Sequence, residues 1–310
     1  MRQTSAAQPV LPIAQTLTRH LETFRHHHST ALDEAQDTAE AIHKVRVTTR
    51  RLQADLDLLQ FGRNSKVVQR LKRRLRDFRN SLSTIRNYDV FLGIVAAARD
   101  RADDPDVPGL TALDRLFGEE RDRAAAEASK VIERFKLKPI FSMLDQPSDG
   151  ARKKRALDFR EFDEGRIKER AARRLERRLE DFLALVSRLQ DSSDAEGIHQ
   201  LRIAAKRLRY LIETLVDLGF REPKGALRWL HSEQGKIGDW HDLFCLEKEV
   251  LALVGRKEAA PGRLEASAEL LRATAGLLRA RDIRASRTFP VKPPNYFERS
   301  VRRLLRDLSR

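Results

Sequence analysis

Apolar positions recur every three or four residues in segment after segment, the period of a helix with one buried face. The pattern predicts a helix from near Pro9 or Pro12 to about Ser29, with Ile13, Leu17, Leu21 and Phe24 on one side. A second runs from about Thr38 to Phe61 and ends at Gly62; a third, from Ser65 to Leu82, carries Val67, Val68, Leu71, Leu75, Phe78 and Leu82. A fourth spans roughly 87–101 and a long fifth 110–136, with a Pro- and Gly-containing loop between them. The pattern resumes at 163–190, continues in a helix that ends at Gly219, and then gives helices at 223–234, 239–254 and 262–284. A last one, from about Asn295 to Ser309, sets Val301, Leu304, Leu305 and Leu308 on one side. Asn87, Asp194 and Asp239 are the side chains expected to cap the helices that follow them. The organisation expected is a mobile tail (1–8), a first helical unit (9–136), a connector (137–162) with Pro139, Pro147, Gly150 and the basic run Arg152 to Arg155, and a second helical unit (163–310).

One string occurs twice. Ile42-His43-Lys44-Val45-Arg46-Val47-Thr48-Thr49-Arg50-Arg51-Leu52 returns as Ile198-His199-Gln200-Leu201-Arg202-Ile203-Ala204-Ala205-Lys206-Arg207-Leu208, at an offset of 156. Such a repeat points to two related halves. On a helix, His43, Arg46 and Arg50 fall within about 60° of one another. Val45, Leu52, Leu56 and Leu59 gather on the other side. In the second copy His199, Arg202, Lys206 and Arg209 make the polar edge, and Leu201, Leu208, Leu211, Ile212 and Leu215 most of the apolar one. A single helix of this kind reads as a solvated basic face. Two with the same His-Arg-basic register read as a site, because aligned cations repel unless an anion relieves them.

Charge strengthens that reading. Lys and Arg number 61 against 46 Asp and Glu, a formal charge of +15 with a pI near 10.3. Residues 43–86 alone hold thirteen Lys or Arg and three Asp, and the third helix contributes Lys66, Arg70, Lys72, Arg73, Arg74, Arg76 and Arg79. The partner expected is a polyanion: nucleic acid, an acidic membrane surface or a phosphate polymer. Aromatic residues are only 6% of the chain, and those near the basic helices are few. Single-strand nucleic-acid binders interleave aromatics with cations so that bases can stack, which favours a polyanion without bases.

Other chemistry is weakly signalled. One cysteine, Cys245 in an apolar run, excludes an intramolecular disulfide and a paired-cysteine metal site and reads as core. The adjacent His26, His27 and His28 point in different directions on a helix and read as a solvated cluster at its C-terminal end, not a metal site. No carboxylate cluster at metal-ligand spacing and no Gly-rich phosphate loop accompanies the histidines, so a phosphatase or phosphotransferase using His43 or His199 is the weaker alternative and no cofactor is expected. No apolar run approaches the ~20 residues of a membrane span. A soluble, cytoplasmic chain with no membrane partner is expected. A helical scaffold whose charge serves only solubility is a further alternative.

The duplicated strings, each followed by a second helix and then by a segment such as Ile85-Arg86-Asn87-Tyr88-Asp89-Val90 or Ile237-Gly238-Asp239-Trp240-His241-Asp242, resemble the conserved histidine α-helical domain, CHAD, over nearly the whole chain as a stand-alone member. The resemblance implies an all-α fold of two four-helix bundles related by a pseudo-twofold axis, with basic helices facing a central groove or pore. It further implies binding of inorganic polyphosphate there and a place on polyphosphate granules, where other granule proteins would be neighbours. The positions carried over are His43, Arg46, Arg50 and Arg51, matched by His199, Arg202, Lys206 and Arg207. On the next helix an offset of 152 aligns Lys72 with Lys224, Arg76 with Arg228 and Arg79 with His231; Arg73, Arg86 and Arg209 complete the candidate set. Two departures stand out: Asn87 replaces the acid that often follows Arg86 in the family, and Gly238 falls opposite Arg86. The second basic helix is also the sparser, so the first half should contribute more charge.

Such residues suit a polymer with roughly one charge per phosphate and no bases to read. Arg bridges neighbouring oxygens, Lys adds a mobile point charge, and His becomes a donor pair when a nearby polyanion favours its protonated form.

Overall fold

The structure is a computed structural model that describes residues 12–32, 38–60, 62, 65–101, 106–142, 157, 163–189, 195–258, 272–277, 279 and 291–309, with side chains of the long 224–258 helix described to residue 253. Among these residues there is no strand. The helices are α1 (Pro12–Thr30), α2 (Thr38–Leu58), α3 (Ser65–Ser81), α4 (Ser83–Arg99), α5 (Val107–Arg134), the single turn α6 (Lys138–Phe141), α7 (Glu164–Arg188), α8 (Ala195–Asp217), α9 (Lys224–Glu258) and α10 (Asn295–Leu308). The predicted tail (1–8), the run Arg152 to Arg155 and the cap Asp194 lie outside the described residues.

The periodic faces fall where their spacing puts them. Ile13, Leu17, Leu21 and Phe24 of α1 and Val67, Val68, Leu71, Leu75 and Phe78 of α3 are all buried. The two string helices, α2 and α8, pack on each other, so the repeated strings meet in space. α1 packs on α2, and α7 on α8 and α10. One apolar core runs through α1–α3, the C-terminal half of α5, α7, α8, the first part of α9 and α10, without a break between the halves of the chain. A second cluster joins α4, the N-terminal half of α5 and the later part of α9 through Tyr88, Phe91, Phe117, Leu243 and Leu246.

Chain breaks follow backbone chemistry. Gly62 has φ 53° just past α2. After α8, Gly219 (φ 95°) lets its own N–H reach the Val216 carbonyl at 2.9 Å and the Phe220 N–H reach Leu215 at 3.1 Å. That is the 5→2 and 6→1 pair of a left-handed helix C-terminus, a conformation with little steric cost for glycine.

Three expectations are corrected. Asn87 caps nothing: α3 and α4 are separated only by Leu82, which is fully buried, and α4 is already a turn long at Asn87. Asp239 lies mid-helix, because α9 continues through Gly235 and Gly238. Two helical glycines cost about 1 kcal/mol each. Leu230, Ile237 and Trp240 continue one buried stripe across them and offset that cost. The histidine run is not all solvated: His28 is buried beside Phe24, Phe78 and Phe135, and its Nε2–H donates to the Ile132 carbonyl at 3.0 Å, in the last turn of α5. Burial lowers the His28 pKa, consistent with a neutral ring donating to that carbonyl.

A buried polar tie joins the halves. His20 of α1 places Nδ1 2.6 Å from Asp55 of α2, and Thr214 of α8 donates to the same carboxylate at 3.2 Å. His20→Ala leaves that carboxylate buried without its ring partner and should cost about 3 kcal/mol or more in urea unfolding, as loss of one member of a buried pair does. Gln234 is the opposite case. It is buried, and neither amide atom has a partner among the described residues. The 152-residue offset sets it opposite Leu82. Gln234→Leu should therefore raise the stability by ~1–2 kcal/mol, read as a higher urea midpoint at unchanged slope.

Candidate anion-binding site

The packing of α2 on α8 brings the polar edges of both strings to one place. Arg46 is almost wholly buried (8% exposed) and is surrounded by cations: Arg50, Arg86, Arg79 and Arg202 are its strongest electrostatic neighbours. Its Nη1 donates to the Arg79 carbonyl at 2.6 Å and to Ser83 Oγ at 3.1 Å. It thus satisfies a carbonyl in the last turn of α3, at the Leu82 break. Arg79 in turn donates to Gln53 Oε1. From the other half, Arg202 and Lys206 face Arg50 and Arg86. Arg202 Nε is buried without a hydrogen-bond partner among the described residues.

One carboxylate moderates this field. Asp242 of α9 accepts from both terminal nitrogens of Arg86 at 3.0 Å and lies 3.9 Å from Arg202. Its pKa is held well below the usual carboxylate range by the His241 ring 3.7 Å away, by the hydrogen bonds from Arg86 and by the charges of Arg86 and Arg202, which together outweigh its burial. Six cations from α2, α3, α4 and α8 thus meet one internal anion. The excess shows in their acidities. Burial, with Arg202, Arg50 and Arg86 alongside, pushes Lys206 down to about 6. Burial and neighbouring arginines bring Arg46 to about 9 and Arg79 to about 10.

The histidines flank the cluster. His43 is exposed at its rim, near Arg50, Arg86 and Arg46. His199 stacks on His241 with ring centroids 5.1 Å apart and Nδ1 3.0 Å from His241 Nε2. Burial, and then nearby cations or His241, lower the pKa of both string histidines. Cys245, expected as core, is half-buried with Sγ 3.6 Å from His241 Nδ1. Among the described residues no group of three His, Cys, Asp or Glu is placed to hold a metal ion.

The cluster therefore gathers His43, Arg46, Arg50, Arg79, Arg86, His199, Arg202 and Lys206 out of the residues singled out by sequence. The others lie elsewhere. Arg51 is exposed and acts on His27. Arg73 and Arg76 are exposed on α3, Arg76 beside Asp77. Lys72 pairs with Asp57 and Gln60. Arg207 is exposed, and its carbonyl accepts from Arg178. Arg209 and His231 meet at Glu213. Lys224 lines a groove of about 600 Å³ between the start of α9 and α10, and Arg228 is exposed one turn further on. The sequence reading assigned no role to His241 and Asp242. Once α9 is one continuous helix, Gly238, His241, Asp242 and Cys245 share a face at three- and four-residue spacing; the break expected at 235–238 hid that register.

A rigid, dry-based cluster of guanidinium groups with one internal counter-ion can hold an extended anion by several charge-assisted hydrogen bonds at low ordering cost. No described helix is long and apolar enough to cross a membrane.

Comparison with known proteins bears on the same arrangement. The chain is similar to the crystal structure of the CHAD domain from the plant Ricinus communis, at 20% identity over 99% of this chain and 96% of that one, with a TM-score of 0.55. It is also similar to the structure of PptA from Streptomyces chartreusis, at 17% identity over 94% and 98% of the two chains, with a TM-score of 0.60. At these identities the likeness is one of fold. No curated protein matches. The family model of the CHAD domain spans residues 15–251, which takes in both strings, the basic α3 and Asp242, and this chain belongs to the CHAD domain family.

Proposed function

We propose that the chain binds inorganic polyphosphate at the cluster between α2 and α8, and that this binding brings it to polyphosphate granules. The observation that carries the reading is the charge imbalance: six cations from both halves around one carboxylate, that of Asp242, among the described residues. A buried cluster with so little internal counter-charge is stabilised by an external anion that brings many oxygens. Family membership supports the same ligand. The shortage of stacking surface argues against single-stranded nucleic acid: the one large aromatic side chain that is well exposed among the described residues is Tyr296, in the separate groove between α9 and α10. The role is one of binding. No step of bond cleavage is assigned to His43 or His199.

Labelled long-chain polyphosphate should bind tightly and lose affinity steeply with salt. Double-stranded DNA, single-stranded RNA and orthophosphate, at equal phosphate, should compete poorly. Arg50→Ala with Arg202→Ala should weaken binding at least ~10-fold with helicity intact, since a charged hydrogen bond is worth ~1.5–3 kcal/mol. Equal competition by nucleic acid, or unchanged binding by the double variant, would return the cluster to a generic basic surface.

The lowered pKa values give a pH dependence with a definite sign. In the free protein Lys206 (about 6), His43 and His199 are shifted toward their neutral forms. A bound polyanion favours the charged forms, so binding takes up protons. Affinity should rise as pH falls from about 8 to 6, by up to one decade per pH unit for each proton taken up. Lys206→Met removes one of these protons and should flatten the profile. It also removes a lysine that folding forces toward its neutral form, and should raise Tm by about 2–4 °C at neutral pH, as ~1 kcal/mol does in a large domain.

A further inference from the structure

A second concentration of cations lies outside the central cluster and takes in α7, a helix to which the strings and the basic α3 pattern gave no role. Arg170, Arg174 and Arg178 are spaced by four and form one row along α7. The row meets Asp57, the penultimate residue of α2. Arg178 Nη2 donates to Asp57 Oδ2 at 2.5 Å, and Arg174 lies 3.4 Å from the same oxygen. Arg170 Nε donates to the Asp57 carbonyl at 2.9 Å, and Lys72 of α3 pairs with Oδ1. Three cations thus share one carboxylate, and a fourth, Arg170, sits on the same residue's carbonyl. Of the neighbours acting on Arg170 and Arg178, Asp57 alone is an acid; the others are Arg173, Arg174 and Arg207. The exposures are ordered. Asp57 and Arg178 are each 14% exposed, while Arg174 and Lys72 keep 28% and 29% of their side chains in water. The carboxylate and Arg178 lie beneath, and the heads of Arg174 and Lys72 reach the surface.

This second cluster is tied to the central one on both sides. Gln53, which accepts from Arg79, donates through Nε2 to the Lys72 carbonyl at 3.2 Å. Arg178 Nη1 donates to the carbonyl of Arg207, the residue after Lys206, at 2.8 Å. Along α2, Arg46 and Asp57 are eleven residues apart, about 16 Å on a helix. The counterpart of Asp57 at the 156-residue offset is Glu213, whose partners are Arg209 and His231 rather than a row of arginines.

We infer that Lys72 with the Arg170–Arg174–Arg178 row is a second phosphate seat, engaged by one polyphosphate chain that also fills the central cluster. The inference rests on the polyphosphate reading above and adds a consequence to it: selectivity for chain length. An anion of three phosphates is too short to span both seats, so it gains from the central one only. A long chain gains from both.

The test compares tripolyphosphate with long-chain polyphosphate on the full chain carrying Lys72→Gln and Arg174→Gln, which leaves Arg178 and Arg170 on Asp57. Tripolyphosphate affinity should not change. Long-chain affinity should fall about 10-fold, and the slope of log affinity against log salt should shallow by about one to two, as two phosphate contacts are lost. Unchanged long-chain affinity, or an equal loss for both ligands, overturns the second seat. Should that variant unfold, Asp57→Asn serves in its place: removing the competing carboxylate should raise long-chain affinity and leave tripolyphosphate unaffected, and no gain overturns the inference. Failure of the central reading looks different, because Arg50→Ala with Arg202→Ala would then leave binding of both ligands by the wild-type seat intact.

Discussion

Six cationic side chains from four helices are held together against their own repulsion, and the architecture around them supplies what opposes it. The packing of α2 on α8 is apolar on its inner side: Val45, Leu52 and Leu56 on one helix, Leu201, Leu208, Leu211 and Leu215 on the other, all buried in one continuous core. That core fixes where Arg46, Arg50, Arg202 and Lys206 must point. Asp242, brought in by α9, takes up part of the repulsion through its two bonds to Arg86. Arg46 is used twice, as a donor to the open end of α3 and as a member of the cluster. Burial, and after it the repulsion left uncompensated, brings a lysine down to about 6 and an arginine to about 9. A site that holds its donors in place before the ligand arrives spends little on ordering them, and carries the cost as reduced stability of the free protein.

The helices were legible because each buries one face, and a face leaves a period. The apolar stripes of α1, α3 and α10 occupy the core almost residue for residue. The repeated string was legible for the same reason: a constant register of His, Arg and a second cation on a helix with a buried back. Period says which side of a helix faces inward. It does not say where along the outward side another element will sit. Arg46 and Arg51 read alike in sequence, yet one is buried under α3 and the other is exposed near His27. His28 looked solvated because its aromatic neighbours, Phe78 and Phe135, come from α3 and the end of α5, far away in the chain.

The glycines show a different limit. Gly235 and Gly238 are sound breakers by propensity, and the expected break at that point hid the pair His241–Asp242. Burial of Ile237 and Trp240 outweighed propensity and carried α9 straight through. In the first half the corresponding stretch does break, at Leu82, where α3 ends and α4 starts after a single residue. Local signals marked a break in both stretches and only the first has one, because the deciding term in each is tertiary packing.

That difference between the halves bears on how a polymer would be held. The break at Leu82 frees the end of α3 for Arg46 and lets Arg86 leave α4 toward Asp242. In the second half the position opposite Arg86 is Gly238, which offers no charge, and α9 contributes an acid and an imidazole to the cluster instead. The first half thus supplies Arg46, Arg50, Arg79 and Arg86, and the second supplies Arg202 and Lys206 together with the counter-ion. An anion crossing between α2 and α8 meets a field that is strongest on the α2–α3–α4 side. The arginine row of α7 lies at the far end of α2, at Asp57, so the second half returns its missing positive charge there and not at the point related to Arg86 by the repeat. Charge is therefore distributed along the length of α2, not mirrored about its centre, and a flexible chain of phosphates can follow such a track where a compact anion cannot.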